Sequence, residues 1–135
     1  MAAMKWTEQL SVKIHLFDHE HKKLVELINK LSDAMLRKEG NNVLGSILNE
    51  LTDYTLIHFS HEEEAMKKYN FPGYAAHKKE HEDFVSKVAD TKKQYEAGAI
   101  MLTMPLISFL TTWVAEHISK SDSGYSAFLN KAGMK

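Results

Sequence analysis

The stretch His58–Met66, HFSHEEEAM, decides how the chain is read. It continues a helical apolar pattern, Leu44, Ile47, Leu48, Leu51 and Thr55, spaced at three and four residues. The next two positions on that stripe are His58 and Glu62. An imidazole and a carboxylate at core positions each cost several kcal/mol if buried without partners. A domain with a net stability of about 5–15 kcal/mol cannot absorb that penalty repeatedly. The stripe therefore predicts that His58 and Glu62 face a common partner inside the fold.

The same pattern recurs in three further segments. Leu24, Ile28, Leu31 and Met35 form a stripe that runs back to His21. Phe84, Val88 and Tyr95 extend one that begins at His77 and His81. Leu106, Phe109, Leu110 and Trp113 lead to His117. The breaks between stripes are RKEGNN (37–42), YNFPG (69–73) and the stretch from Gly98 to Pro105. No segment alternates with period two, and no Asn-Gly or Asp-Gly hairpin signal occurs. Four amphipathic helices with short connections predict an all-α fold, an up-down-up-down antiparallel four-helix bundle. Residues 1–17 are expected to form an extended arm, pinned by Trp6 and Phe17. The bundle is expected over about 18–120, and a tail over 121–135 that adds a short C-terminal helix. The whole of 1–135 is read as a single domain.

Composition narrows the function. Of 135 residues, 44% are hydrophobic, enough for one core. Lys and Arg number 17 against 18 Asp and Glu, so no basic excess favours nucleic acid or an anionic membrane. The absence of cysteine excludes disulfides, iron–sulfur clusters and thiolate zinc sites. No apolar run approaches the roughly 20 residues that span a bilayer, and the N-terminal stretch has no signal-peptide core. A cytoplasmic protein is expected, and, with no large apolar patch evident, a monomer.

Histidine is the unusual count: eight residues, at 15, 19, 21, 58, 61, 77, 81 and 117. Five lie on apolar stripes. His58/Glu62 and His77/His81 are four apart and so share a helical face. Five imidazoles, one glutamate and an aspartate near His117 exceed the needs of one tetrahedral zinc. They suit two first-row ions of five or six coordination; mixed imidazole and carboxylate donors fit iron or manganese, and imidazole richness leans to iron. The two Glu-x-x-His motifs of carboxylate-rich bundle sites are missing. A site with few carboxylates favours the ferrous state, a better setting for reversible dioxygen binding than for oxygen activation. His15 and His19 are read as surface residues. His61, Glu63 and Glu64 are placed on the outer or flanking face of their helix, with Phe59 and Met66 packing.

Taken together, FDHEHKKL (17–24), HFSHEEEAM (58–66), HKKEHEDF (77–84) and WVAEHISKSDSGY (113–125) resemble the hemerythrin family in its single-domain bacterial form, the bacteriohemerythrins. The resemblance runs from Trp6 to Tyr125. It implies two iron ions, one held by His21 and His58 and the other by His77, His81 and His117. Glu62 and Asp122 are implied as bridges, with an oxo or hydroxo group completing the di-iron centre. Dioxygen is implied to bind at the iron held by His21 and His58, in an apolar pocket matching Leu24, Phe59, Trp113, Val114 and Ile118.

The function so implied is oxygen transport, storage or local supply to an oxygen-consuming partner, by a binding protein and not an enzyme. The alternatives are a di-iron oxygen or redox sensor, a class that usually carries a fused signalling domain, and weak scavenging of peroxide or nitric oxide. Two positions depart from the family pattern: Glu20 stands where glutamine is frequent, and Val114 where leucine is. One spacing is awkward. His117 and Asp122, five apart, diverge by about 140° on an ideal α-helix. The helix is expected to distort or end there, which Ser121, Ser123 and Gly124 permit.

Overall fold

The first helix starts where Asp18 gathers the end of the arm. Its carboxylate accepts the Val12 N–H at 2.8 Å and the Ser11 hydroxyl at 2.5 Å, and its own N–H bonds Ile14 O at 2.9 Å. An acidic side chain in a first turn also suits the helix dipole. Helix α1 (His15–Leu36) therefore begins two residues before the expected end of the arm, and Phe17 is a fully buried helix residue rather than an arm anchor. The computed structural model describes residues 4–38, 41–96 and 104–135, without the side chains at 41, 42, 104, 105 and 123. The sequence breaks expected at Gly40 and Gly98 lie outside the described residues.

Helix α2 spans Asn41–Lys68, α3 Tyr74–Glu96 and α4 Met104–Glu116. A π-helical turn, His117–Asp122, leads without interruption into α5 (Ser123–Lys131). Of the two outcomes expected there, distortion or an end, the helix distorts: the π turn carries α4 on into the tail helix. Helix α2 ends with Asn70 in the left-handed region (φ 57°) and the Phe71 N–H reaching back to Met66 O at 2.8 Å. This closure satisfies orphan carbonyls of the last turn before Pro72 redirects the chain.

The four long helices form the antiparallel bundle. α1 packs between α2 and α4, and α2 packs between α1 and α3. α3 and α4 meet through large rings: Phe84 stacks on Trp113 at 4.2 Å and on Phe109 at 6.0 Å. The buried apolar stripes are Leu24, Ile28 and Leu31 of α1, Leu48 and Leu51 of α2, Phe84 and Val88 of α3, and Leu110 of α4. Burying each such side chain contributes about 1.5–3 kcal/mol. In α4 the buried face is Ile107, Leu110 and Val114, while Leu106, Phe109 and Trp113 are half-buried on its flank. The rotation lets the bulky Trp113 ring lie along the α3 seam instead of filling the bundle axis.

The arm is tied at both ends. The Asn29 amide accepts from Met4 N at 2.8 Å and donates to Met4 O at 2.7 Å. Ser126 of α5 donates to Val12 O at 2.5 Å, and Asn130 to Lys13 O at 3.0 Å. Lys22 sits over the Trp6 ring at 4.3 Å. The arm and α5 thereby close one end of the bundle.

Candidate metal centre

Each apolar stripe ends in polar residues that meet on the bundle axis. His21, His58, Glu62, His77, His81, His117 and Asp122 are all buried. They come from α1, α2, α3 and the π turn. Turn-by-turn spacing aligns His58 with Glu62 and His77 with His81. The π turn aligns His117 with Asp122, because its i to i+5 bonding brings residues five apart onto one line. The structure brings together all seven residues named from the sequence, while His15 and His19 are exposed.

The cluster has two sides that share both carboxylates. Glu62 Oε2 lies 3.2 Å from His21 Nε2 and 3.3 Å from His58 Nε2, and Asp122 Oδ2 lies 3.0 Å from His21 Nε2. The other oxygens face the opposite way. Glu62 Oε1 is 3.2 Å from His81 Nε2, and Asp122 Oδ1 is 2.8 Å from His77 Nε2 and 3.0 Å from His117 Nε2. Each carboxylate so presents one oxygen to a two-imidazole group and one to a three-imidazole group. Within each group a donor atom from every residue lies within 4.8 Å of all the others.

These contacts are close but poorly satisfied as hydrogen bonds. Glu62 Oε1, His77 Nε2 and both Asp122 oxygens are buried without a well-aligned partner. His81 and His117 point Nε2 at Nε2 across 3.0 Å, where at most one proton fits between two lone pairs. Inward-aimed donors that fail to satisfy one another are what a cation between them would satisfy. The donor set, imidazole nitrogen with shared carboxylate oxygen, fits two first-row divalent ions.

Electrostatics agree with a strongly interacting cluster. Burial opposes the charge on His58, but the Glu62 charge and the hydrogen bonds the imidazole donates to Glu20 and Glu62 outweigh it and push its pKa from 6.5 up to about 10. Burial likewise opposes the charge on His77, and Asp122 and Glu62 carry it to about 9. Glu62 is driven well below the carboxylate range, as His58, His21 and His77 overcome the effect of burial. Asp122 is lowered too: burial and the Glu62 charge act upward and lose to His117 and His21.

An outer layer of carboxylates was not anticipated. Glu20 accepts from His58 Nδ1 at 2.8 Å and from His61 Nδ1 at 2.6 Å. Glu63 accepts from His81 Nδ1 at 2.9 Å. Glu80 accepts from His117 Nδ1 at 3.1 Å and from the Ser121 hydroxyl at 2.6 Å. Glu63 and His61 are thus part of the cluster's support and not merely flank residues. Tyr125, completely buried, donates its hydroxyl to Glu62. The sequence signal they share is adjacency: each of these glutamates is one residue from a member of the cluster.

Against the cluster lies a cavity of about 10 Å³. His21, His58, His117 and Asp122 form its floor, and Leu24, Phe59, Trp113, Val114 and Ile118 stand in its wall. Ile28, Leu51, Thr55 and Phe84 complete the wall. The Thr55 hydroxyl is turned to its own helix, donating to Leu51 O at 2.7 Å, so it offers the cavity no free donor.

The model of the hemerythrin HHE cation binding domain matches residues 12–129, every element that builds the cluster. The chain belongs to the hemerythrin family. It is 37% identical over 125 residues to the bacteriohemerythrin of Pseudomonas aeruginosa, covering 93% of this chain and 80% of that one. The bacteriohemerythrin of Methylococcus capsulatus is 33% identical over 131 residues, with 96% and 99% covered. A solved wild-type hemerythrin superposes with a TM-score of 0.88 at 34% identity, covering 93% of this chain and 97% of that one. Hemerythrin membership and the buried His/Glu/Asp cluster together make this a metal centre. Among the described residues, no helix is long and apolar enough to cross a membrane.

Proposed function

We propose that this hemerythrin binds dioxygen reversibly at a di-iron centre, for transport, storage or local supply. The observation that carries the reading is the cavity. Its wall is mostly apolar, and it is lined by both imidazoles of the two-imidazole group but by only one, His117, of the three-imidazole group. In this reading His21 and His58 hold one iron, His77, His81 and His117 hold the other, and Glu62 and Asp122 bridge them. Two ferrous ions bound there supply the electrons by which dioxygen is held and released.

The protein's own residues do the rest. His21 and His58 line the cavity and would hold an iron beside it. Leu24, Phe59, Trp113, Val114 and Ile118 keep that cavity dry, which withholds the protons that would drive irreversible oxidation. Tyr125 and the outer carboxylates fix the orientation of Glu62 and three imidazoles.

The test is direct. The protein is loaded with ferrous iron without air, oxygen is admitted and later purged, and the visible spectrum and iron content are recorded. Two irons per chain and a charge-transfer band that vanishes on purging are expected. An oxidised spectrum that survives purging would point to redox sensing or peroxide chemistry instead.

A further inference from the structure

We infer that Glu20, Glu63 and Glu80 are positioning residues that hold three cluster imidazoles from neighbouring helices, and that their uneven placement makes the iron on the His21/His58 side the first to leave. The inference rests on the proposed di-iron reading. The three contacts follow one rule. Glu20 precedes His21 on α1 and holds His58 of α2; Glu63 follows Glu62 on α2 and holds His81 of α3; Glu80 precedes His81 on α3 and holds His117 at the end of α4. One residue is about 100° around a helix. A side chain adjacent to one aimed at the bundle axis therefore points across the seam to the next helix.

Each contact takes Nδ1–H of an imidazole, which leaves Nε2 as the unprotonated donor facing inward. The carboxylate also fixes the ring plane and makes the imidazole a stronger donor. The supply is unequal. Two of three imidazoles are held on the His77/His81/His117 side. On the other side His58 alone is held, and His21 Nδ1 is buried with no partner, among the described residues. The first side thus has more imidazoles and more of them braced, and should retain its ion longer.

Ferrous protein, loaded without air, is mixed with a ferrous chelator, and release is followed for wild type and for the Ala and Gln variants of each glutamate. Wild type should release iron in two steps of one iron each. Glu20→Ala should speed only the fast step, roughly 10-fold or more, and Glu63→Ala and Glu80→Ala only the slow step, by the size typical of such outer contacts. The Gln variants keep an acceptor oxygen and should restore the release rate, yet shift the reduction potential upward through loss of charge. Glu80 is 46% exposed, so its variants fold without a buried gap, and metal-free melting checks the rest. Unchanged release in every variant, or equal speeding of both steps by all three, would overturn the inference alone. A wild type that takes up no iron would overturn the proposed function and this inference together.

Discussion

His117 and Asp122 stand five residues apart, yet Nε2 of one lies 3.0 Å from Oδ1 of the other, because the chain between them makes a π-helical turn. The turn is what delivers a second shared carboxylate opposite Glu62. With Asp122→Ala, Glu62 alone spans the two groups of imidazoles. The expected outcome is a drop from two irons per chain toward one, read by iron analysis after anaerobic loading and desalting. Retention of both irons would show that Asp122 is not a bridge.

The cluster also fixes a pH dependence, with opposite signs for metal-free stability and for the gain on loading. His58 and His77 have folded-state pKa values of about 10 and about 9, above their ordinary 6.5. Groups raised on folding stabilise fully below 6.5, and that stability is lost as pH rises through 9 and 10. Glu62 and Asp122 are lowered, so their contribution is present above the ordinary carboxylate range and lost on acidification. Metal-free protein should therefore melt at its highest temperature between about pH 5 and 6.5 and at lower temperatures toward pH 9.5. Cations compete with those protons, so the gain in melting temperature on loading should grow over the same rise in pH. Thermal scans with and without metal decide it; a metal-free melting temperature that climbs from pH 6.5 to 9.5 would contradict this reading.

Helical periodicity made most of the architecture readable, since Leu24–Ile28–Leu31 and Leu44–Leu48–Leu51 each mark one face without ambiguity. It also led to the convergence of His21, His58, Glu62, His77, His81 and His117, because each continues a stripe already read as core. Asp122 needed the family resemblance: its spacing from His117 is wrong for an α-helix, and a π turn leaves no local pattern. In α4 nearly every residue is apolar, so the stripe could be drawn one position off, through Trp113 instead of Val114. Glu20, Glu63 and Glu80 were illegible for a different reason. Their partners lie on other helices, 18 to 38 residues away, and a glutamate beside a stripe residue in sequence reads as a solvated flank.

Val114 bears on how long loaded protein survives in air. It is buried in the wall of the cavity beside His21 and His58. A leucine there adds one methylene against a space of only about 10 Å³, leaving less room for water beside reduced oxygen. Val114→Leu should slow irreversible oxidation of the ferrous protein in air, and Val114→Ala should hasten it. The decay of the visible band over time measures both. Equal lifetimes across the three side chains would remove Val114 from any role in water exclusion.

Tyr125 offers a separation of folding from metal binding. Its ring packs against Phe17 and His77, with centroids 5.7 and 5.4 Å away, and its hydroxyl donates to Glu62. Tyr125→Phe keeps the ring and removes the donor. In metal-free protein the buried Glu62 oxygen then loses a neutralising contact, at a cost of about 1–3 kcal/mol. In loaded protein the same carboxylate is engaged by cations, so less depends on the hydroxyl. The melting temperature should fall clearly in the metal-free variant and by much less in the loaded one. An equal fall in both would mean that bound metal does not take over the charge of Glu62, and the bridging role assigned to that residue would have to be withdrawn.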